Sequence, residues 1–264
     1  MGEFDAETAI EPVGSGRWST RLHAGWNIGD RSNGGYALIP VLRAMRELVD
    51  RPDPISATTH FLRPCEGGTD GEVRAEIVRA GRSSSTLRGD LSQGGTCRLA
   101  VLAAFGDLSE PAGVEAQISV PPPDLPAPDD CVHRSGLEQG VELPIMSRID
   151  VRLRPEHAVA GGSEEAVVEG WIKLSDGTEP ESLSLPFFAD AFPPSLHSML
   201  GRVGWVPTVE LTVHVRRRPA PGWLRARLEC DDLLGGRMIE TGSVWDSSGA
   251  LVARCRQIGL LLAR

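Results

Sequence analysis

Hydrophobic and polar residues alternate with a period of two along several stretches of the chain. Val73, Ala75 and Ile77 are interleaved with Glu72, Arg74 and Glu76, and Leu87, Gly89 and Leu91 with Arg88, Asp90 and Ser92. This spacing predicts antiparallel strands with one buried face. Residues 99–105 are apolar on both sides, which predicts a strand in the middle of a sheet. Upstream, Ser32, Asn33, Gly34 and Gly35 supply cap and turn residues before the apolar run 36–45, which reads as a buried helix. Pro40 within that run should either delay the helix start or kink its second turn.

The order recurs further on. Ser184 is a candidate cap, Pro186 fits a first helical turn, and residues 187–192 form a short apolar helix stopped by Pro193 and Pro194. Val209, Leu211, Val213 and Val215 then alternate with Glu210, Thr212, His214 and Arg216, and Leu224, Ala226 and Leu228 with Arg225, Arg227 and Glu229. His60 falls opposite His214, and the turn 93–96 opposite 246–249, at an offset of about 153 residues. Between the halves, residues 121–130 hold five prolines and three acids and read as a linker. The expected organisation is an N-terminal domain at 1–112, a Pro-rich acidic linker at 113–145 and a C-terminal domain at 146–264. One helix followed by antiparallel strands, twice, implies an α+β fold in which each sheet buries its apolar face on its own helix.

Charge and cysteine usage narrow the function classes. The formal net charge is −9, which disfavours nucleic acid. Five dispersed cysteines with no CxxC pair fit free thiols in a reducing cytoplasm. No apolar segment approaches the ~20 residues of a membrane span, so no stable membrane insertion is expected. The six histidines lack metal-ligand spacing and no common cofactor motif occurs, so neither metal nor cofactor is expected.

A few residues stand out against their surroundings. Asp190 lies in an apolar helix, where it either turns to solvent or sits buried with a raised pKa. Gln257 shares its strand face with Leu251, Ala253 and Cys255, and a buried amide needs partners. Thr208 follows Pro207 at a strand start; strict alternation puts it on the polar face, and it turns inward only if the strand proper begins after it. Gly34 and Gly35 offer unshielded N–H groups to a carbonyl oxygen or anion. Arg216 and Arg217, with Arg63 in the matching place of the first half, either meet phosphates or form a solvated strand edge.

The segments 32–36, 60–64, 189–190, Thr208 and 257–259 together make the chain similar to the acyl-CoA thioesterase II family, over nearly its whole length. The resemblance implies a double hotdog, with two antiparallel β-sheets each wrapped around a central helix and fused in one chain. It also implies hydrolysis of acyl-CoA to fatty acid and CoA by a water held by Asp190, Thr208 and Gln257. A thioester is already activated, so a positioned water, an acceptor for its proton and an oxyanion donor suffice. Gly34 or Gly35 would supply the oxyanion N–H, and Arg63, Arg216 and Arg217 would meet the CoA phosphates. The expected partner is an acyl-CoA or acyl-carrier thioester, in a homodimer serving lipid metabolism in the cytoplasm. A hotdog hydratase or dehydratase using Asp with His60 or His214, and a non-catalytic acyl-CoA binding protein, are the competing expectations.

Overall fold

The computed structural model describes residues 2–109, 113 and 117–262. The first half contributes β1 (Ile10–Gly14), β2 (Arg17–Leu22), the helix α1 (Gly34–Glu47), β3 (Asp53–Phe61), β4 (Thr69–Ala80), β5 (Ser85–Gln93) and β6 (Thr96–Gly106). The second contributes β7 (Val132–His133), β8 (Ile149–Leu153), β9 (Val167–Leu174), the helix α2 (Leu185–Asp190), β10 (Thr208–Val215), β11 (Leu224–Leu234), β12 (Arg237–Trp245) and β13 (Leu251–Leu260).

Among the described residues these strands form a single antiparallel sheet in the order β1-β2-β4-β5-β6-β3-β10-β13-β12-β11-β9-β8-β7. The fold is the expected double hotdog, but its two sheets are one ladder: β3 and β10 pair edge to edge, with Thr58 opposite Thr212. Their hydroxyl oxygens lie 2.9 Å apart at the centre of the repeat. The edge strand of each half is satisfied by the other, which removes two rows of open backbone groups. Read outward from this junction, both halves continue in the same order, so the faint repeat is a repeat of topology.

The helices lie inside. α1 runs through Pro40 from Gly34 to Glu47 rather than starting after it, and most of its residues are buried. Asn33 caps it by accepting the Tyr36 N–H at 2.8 Å. Ser184 does not cap α2. Its hydroxyl instead donates to the Glu181 carbonyl at 2.8 Å and accepts the Glu181 N–H at 2.9 Å. The alternating strands bury Val73, Ala75, Leu87, Leu91, Leu211, Val213 and Val215, as their spacing requires. Ile77 and Val209 are exposed instead, and each adjoins a register shift that breaks the alternation.

Within 113–145, residues 114–116 lie outside the described residues, as do 110–112 at the end of the expected first domain. The described stretch 117–127 carries no helix or strand, yet it is fastened to the second half. The indole N–H groups of Trp245 and Trp171 donate to the carbonyls of Val120 and Pro126, at 2.8 and 2.9 Å. Among the described residues, no helix is long and apolar enough to cross a membrane.

Candidate active site

The N-terminus of α1 meets the C-terminus of α2. This approach depends on Gly35: a Cβ there would fall 2.8 Å from Asp190 Cβ, 3.0 Å from Phe187 Cα and 3.1 Å from the Pro186 carbonyl. Asp190, the last residue of α2, is thereby delivered to the free N–H groups of α1. Its Oδ2 accepts the Gly35 N–H at 2.7 Å and the Asn33 Nδ2 at 2.9 Å. Asn33 thus caps its own helix with one amide atom and holds the carboxylate of the other half with the second. Burial pushes the Asp190 carboxyl up to about 6, against the Gly35 N–H; the nearby Glu240 carboxylate adds to the rise, while Asn33 and the Arg134 guanidinium oppose it. The surface Asp190 retains opens on a cavity of about 200 Å³.

Thr208 and Gln257 line the same cavity. Thr208 begins β10, and the register shift between Thr208 and Glu210 releases it from the alternation that would have turned it outward. Its hydroxyl donates to Gln257 Oε1 at 2.9 Å. Gln257 lies on β13 directly opposite Glu240 on β12, and its Nε2 donates to Glu240 Oε1 at 2.6 Å. The other Glu240 oxygen accepts the Ser195 backbone N–H at 2.7 Å and the Ser195 hydroxyl. Burial raises the Glu240 pKa, against the hydrogen bonds from Ser195 and Gln257.

Sequence reasoning overlooked Glu240, although it lies between Met238 and Gly242 on the buried face of its strand, the same signal that exposed Gln257. It also overlooked Arg134, a buried residue with no periodic pattern around it. The Arg134 guanidinium donates to the Ala191 carbonyl at 2.7 Å and through two nitrogens to Gln139 Oε1 at 3.0 and 2.7 Å. Burial lowers its pKa to about 9, and Asp190 opposes that fall.

The expected substrate-binding residues divide. The Gly35 N–H is occupied by Asp190, so it is not free to receive an oxyanion. Gly34 lines the cavity as the first residue of α1, where a backbone N–H has no intrahelical acceptor. Arg63 lines the cavity with Arg31, next to Leu62 and Pro64. Arg216 and Arg217 follow the opposite end of β10, roughly 25 Å from Thr208 at the rise of an extended strand. Because β3 and β10 are antiparallel, positions related by the repeat lie at opposite ends of the junction, which separates these two arginines from Arg63.

The two halves define a double hotdog, with a buried carboxylate, a hydroxyl and an amide lining one cavity at their junction. Residues 120–261 match the acyl-CoA thioesterase C-terminal domain and residues 22–106 the acyl-CoA thioesterase N-terminal domain. The chain belongs to this family and is a thioester hydrolase. A Thermobifida fusca structure assigned to thioesterase II is 30% identical, with a TM-score of 0.89 over 100% of this chain and 98% of that one. The thioesterase-like protein TwmA of Talaromyces wortmannii is 26% identical over 98% of this chain and 92% of its own length. The acyl-CoA thioesterase II TesB2 of Mycobacterium marinum shares the fold at 19% identity, with a TM-score of 0.76 over 99% of this chain and 98% of that one.

Proposed function

We propose that the protein hydrolyses acyl-CoA thioesters with Asp190 as general base. The carrying observation is a carboxylate with one oxygen clamped by Gly35 and Asn33 and a pKa lifted to about 6, across a cavity from the Thr208–Gln257 pair. A water held by Asp190 Oδ1 and Thr208 attacks the thioester carbonyl carbon. Its proton passes to Asp190 as the new C–O bond forms. The carbonyl π electrons move to oxygen, which the Gly34 N–H receives at the positive end of α1. Collapse of this oxyanion breaks the C–S bond, and the thiolate leaves as CoA thiol with the proton that Asp190 gives back.

Phe61, Leu62, Phe192 and Trp205 form apolar wall for an acyl chain, and Arg31 and Arg63 offer charge to CoA phosphates. A dehydratase would need a histidine beside the carboxylate. Among the described residues none lines the cavity, and His60 and His214 are exposed on the junction strands. An acyl-carrier thioester is an alternative donor, because the same cavity takes the same acyl group.

Thiol release from a panel of acyl-CoA chain lengths tests the reading. Asp190→Asn should lower kcat by ~10²–10⁴-fold, the range for loss of a general base. A loss below tenfold would remove Asp190 from that role. A wild type that releases no thiol but is thermally stabilised by acyl-CoA would instead be a binding protein. The proposal extends to a cytoplasmic homodimer in lipid metabolism: the five cysteines are all unpaired, which suits a reducing compartment. Light scattering on the purified chain checks the dimer.

A further inference from the structure

We infer that Glu240 is a positioning residue that sets the direction of the Gln257 amide and, through it, leaves Thr208 an acceptor toward the hydrolytic water. The inference rests on the hydrolytic reading above and adds to it a residue at the back of the cavity that acts through Gln257. A side-chain amide fits its site in two orientations, and its neighbours choose between them. The Ser195 backbone N–H is a fixed donor, and it occupies one Glu240 oxygen at 2.7 Å. The other oxygen of the carboxylate can only accept, so it draws Gln257 Nε2 to itself, at 2.6 Å. Gln257 Oε1 then faces Thr208 and takes its hydroxyl proton, at 2.9 Å.

The consequence reaches the cavity. With its only proton spent on Gln257, Thr208 presents lone pairs, and so does the free oxygen of Asp190. A water between them donates both hydrogens and keeps its own lone pairs for the carbonyl carbon. Reversing the amide would turn the threonine proton toward the water and tie up one of those lone pairs.

Glu240→Gln performs this reversal without changing shape. The Ser195 N–H requires an oxygen opposite it, so the amide introduced at position 240 must turn its NH₂ group toward Gln257. Gln257 must then present Oε1 to position 240 and Nε2 to Thr208, and every bond in the relay changes direction. Exchanging the two residues, Glu240→Gln with Gln257→Glu, restores the original direction at Thr208, since a carboxylate at position 257 again accepts the threonine proton.

The test compares kcat and KM of wild type, E240Q and the E240Q/Q257E exchange on the best acyl-CoA of the panel. E240Q should lose kcat by roughly 10–100-fold with KM held within about twofold. The exchange should recover about tenfold of that loss, a coupling that a purely structural residue would not show. The Gln257 side-chain amide resonance, identified by its loss in Gln257→Ala, reads the orientation without turnover. It should lie downfield in the wild type, where a carboxylate accepts it, and move upfield in E240Q. E240Q with wild-type kcat, an exchange as slow as E240Q, or an unmoved resonance would each overturn the inference. A wild type without thiol release would defeat the hydrolytic reading alone, and the resonance would still decide the direction of the amide.

Discussion

At the scale of single residues, Asp190 pits function against stability. Its pKa of about 6 exceeds the ordinary carboxylate value, so between the two the folded chain holds a proton that the unfolded chain has lost. Stability from this group is therefore present at low pH and falls as pH rises toward 6. Both bonds to the side chain converge on Oδ2, so an asparagine can accept them with its single oxygen. Asp190→Asn should accordingly melt higher than wild type at pH 7–8, by roughly 2–4 °C for a gain of about 1 kcal/mol, and lose the advantage below about pH 4. Scanning calorimetry at the two pH values checks this. If Asp190 is the base, kcat/KM of the wild type should fall on the acid side with an apparent pKa near 6, as the carboxylate of the free enzyme becomes protonated. Asp190 and Gln257 were legible in sequence because each is a polar group where the local pattern calls for an apolar one, whereas Thr208 fits its local pattern and stood out only through the family resemblance. The face of Gln257 was legible from strand alternation, but that of Thr208 was not, since the register shift beside it depends on the strands it pairs with.

At the scale of elements, the contact between the two helix ends organises the site. Gly35→Ala would drive a methyl group into the backbone of α2, which has no flexible end to yield. It should cost about 1–3 kcal/mol of stability and most of the activity, read by denaturant unfolding and thiol release. Asn33→Ala removes both a helix cap and a clamp on Asp190, so it should cost about 1 kcal/mol while lowering kcat more than so small a loss would explain. The strands and α1 could be predicted from local spacing, because half-burial imposes its period residue by residue. The meeting of α1 with α2 could not, since Asn33 and Asp190 are 157 positions apart and nothing in either neighbourhood names the other. Glu240 did carry a local signal, its place on the buried face of β12, but the Ser195 and Gln257 groups that hold it there lie elsewhere in the chain.

At the scale of the whole molecule, the β3–β10 pairing makes the halves parts of one ladder, so they should unfold together. Calorimetry should give a single transition with calorimetric and van't Hoff enthalpies in a ratio near 1. The linker that sequence reading took as a spacer is bonded to the second half through its tryptophans. Trp245→Phe, which deletes the bond to Val120 and leaves a small void beside the buried ring, should cost about 1–3 kcal/mol and speed proteolysis within 117–128, with kcat within about twofold of wild type. The topological repeat also has a counterpart to the junction that delivers Asp190: the start of α2 and the end of α1. There the short helix Glu3–Glu7 intervenes, with Phe4 packed on Phe187 at 5.5 Å and Asp5 paired to Arg43 at 2.8 Å. A symmetric pair of single hotdogs would carry two equivalent pockets and could alter neither alone. Joined in one chain, the halves are released from that bond of likeness. One half carries the Asp190 carboxylate and the Gln257 amide, the other the Asn33 cap that holds Asp190, and at the opposite helix junction the Glu3–Glu7 helix packs in their stead. Tolerance to substitution should therefore be lopsided across the pseudo-twofold axis, with drift permitted around Phe4 and Arg43 and forbidden around Asn33 and Asp190.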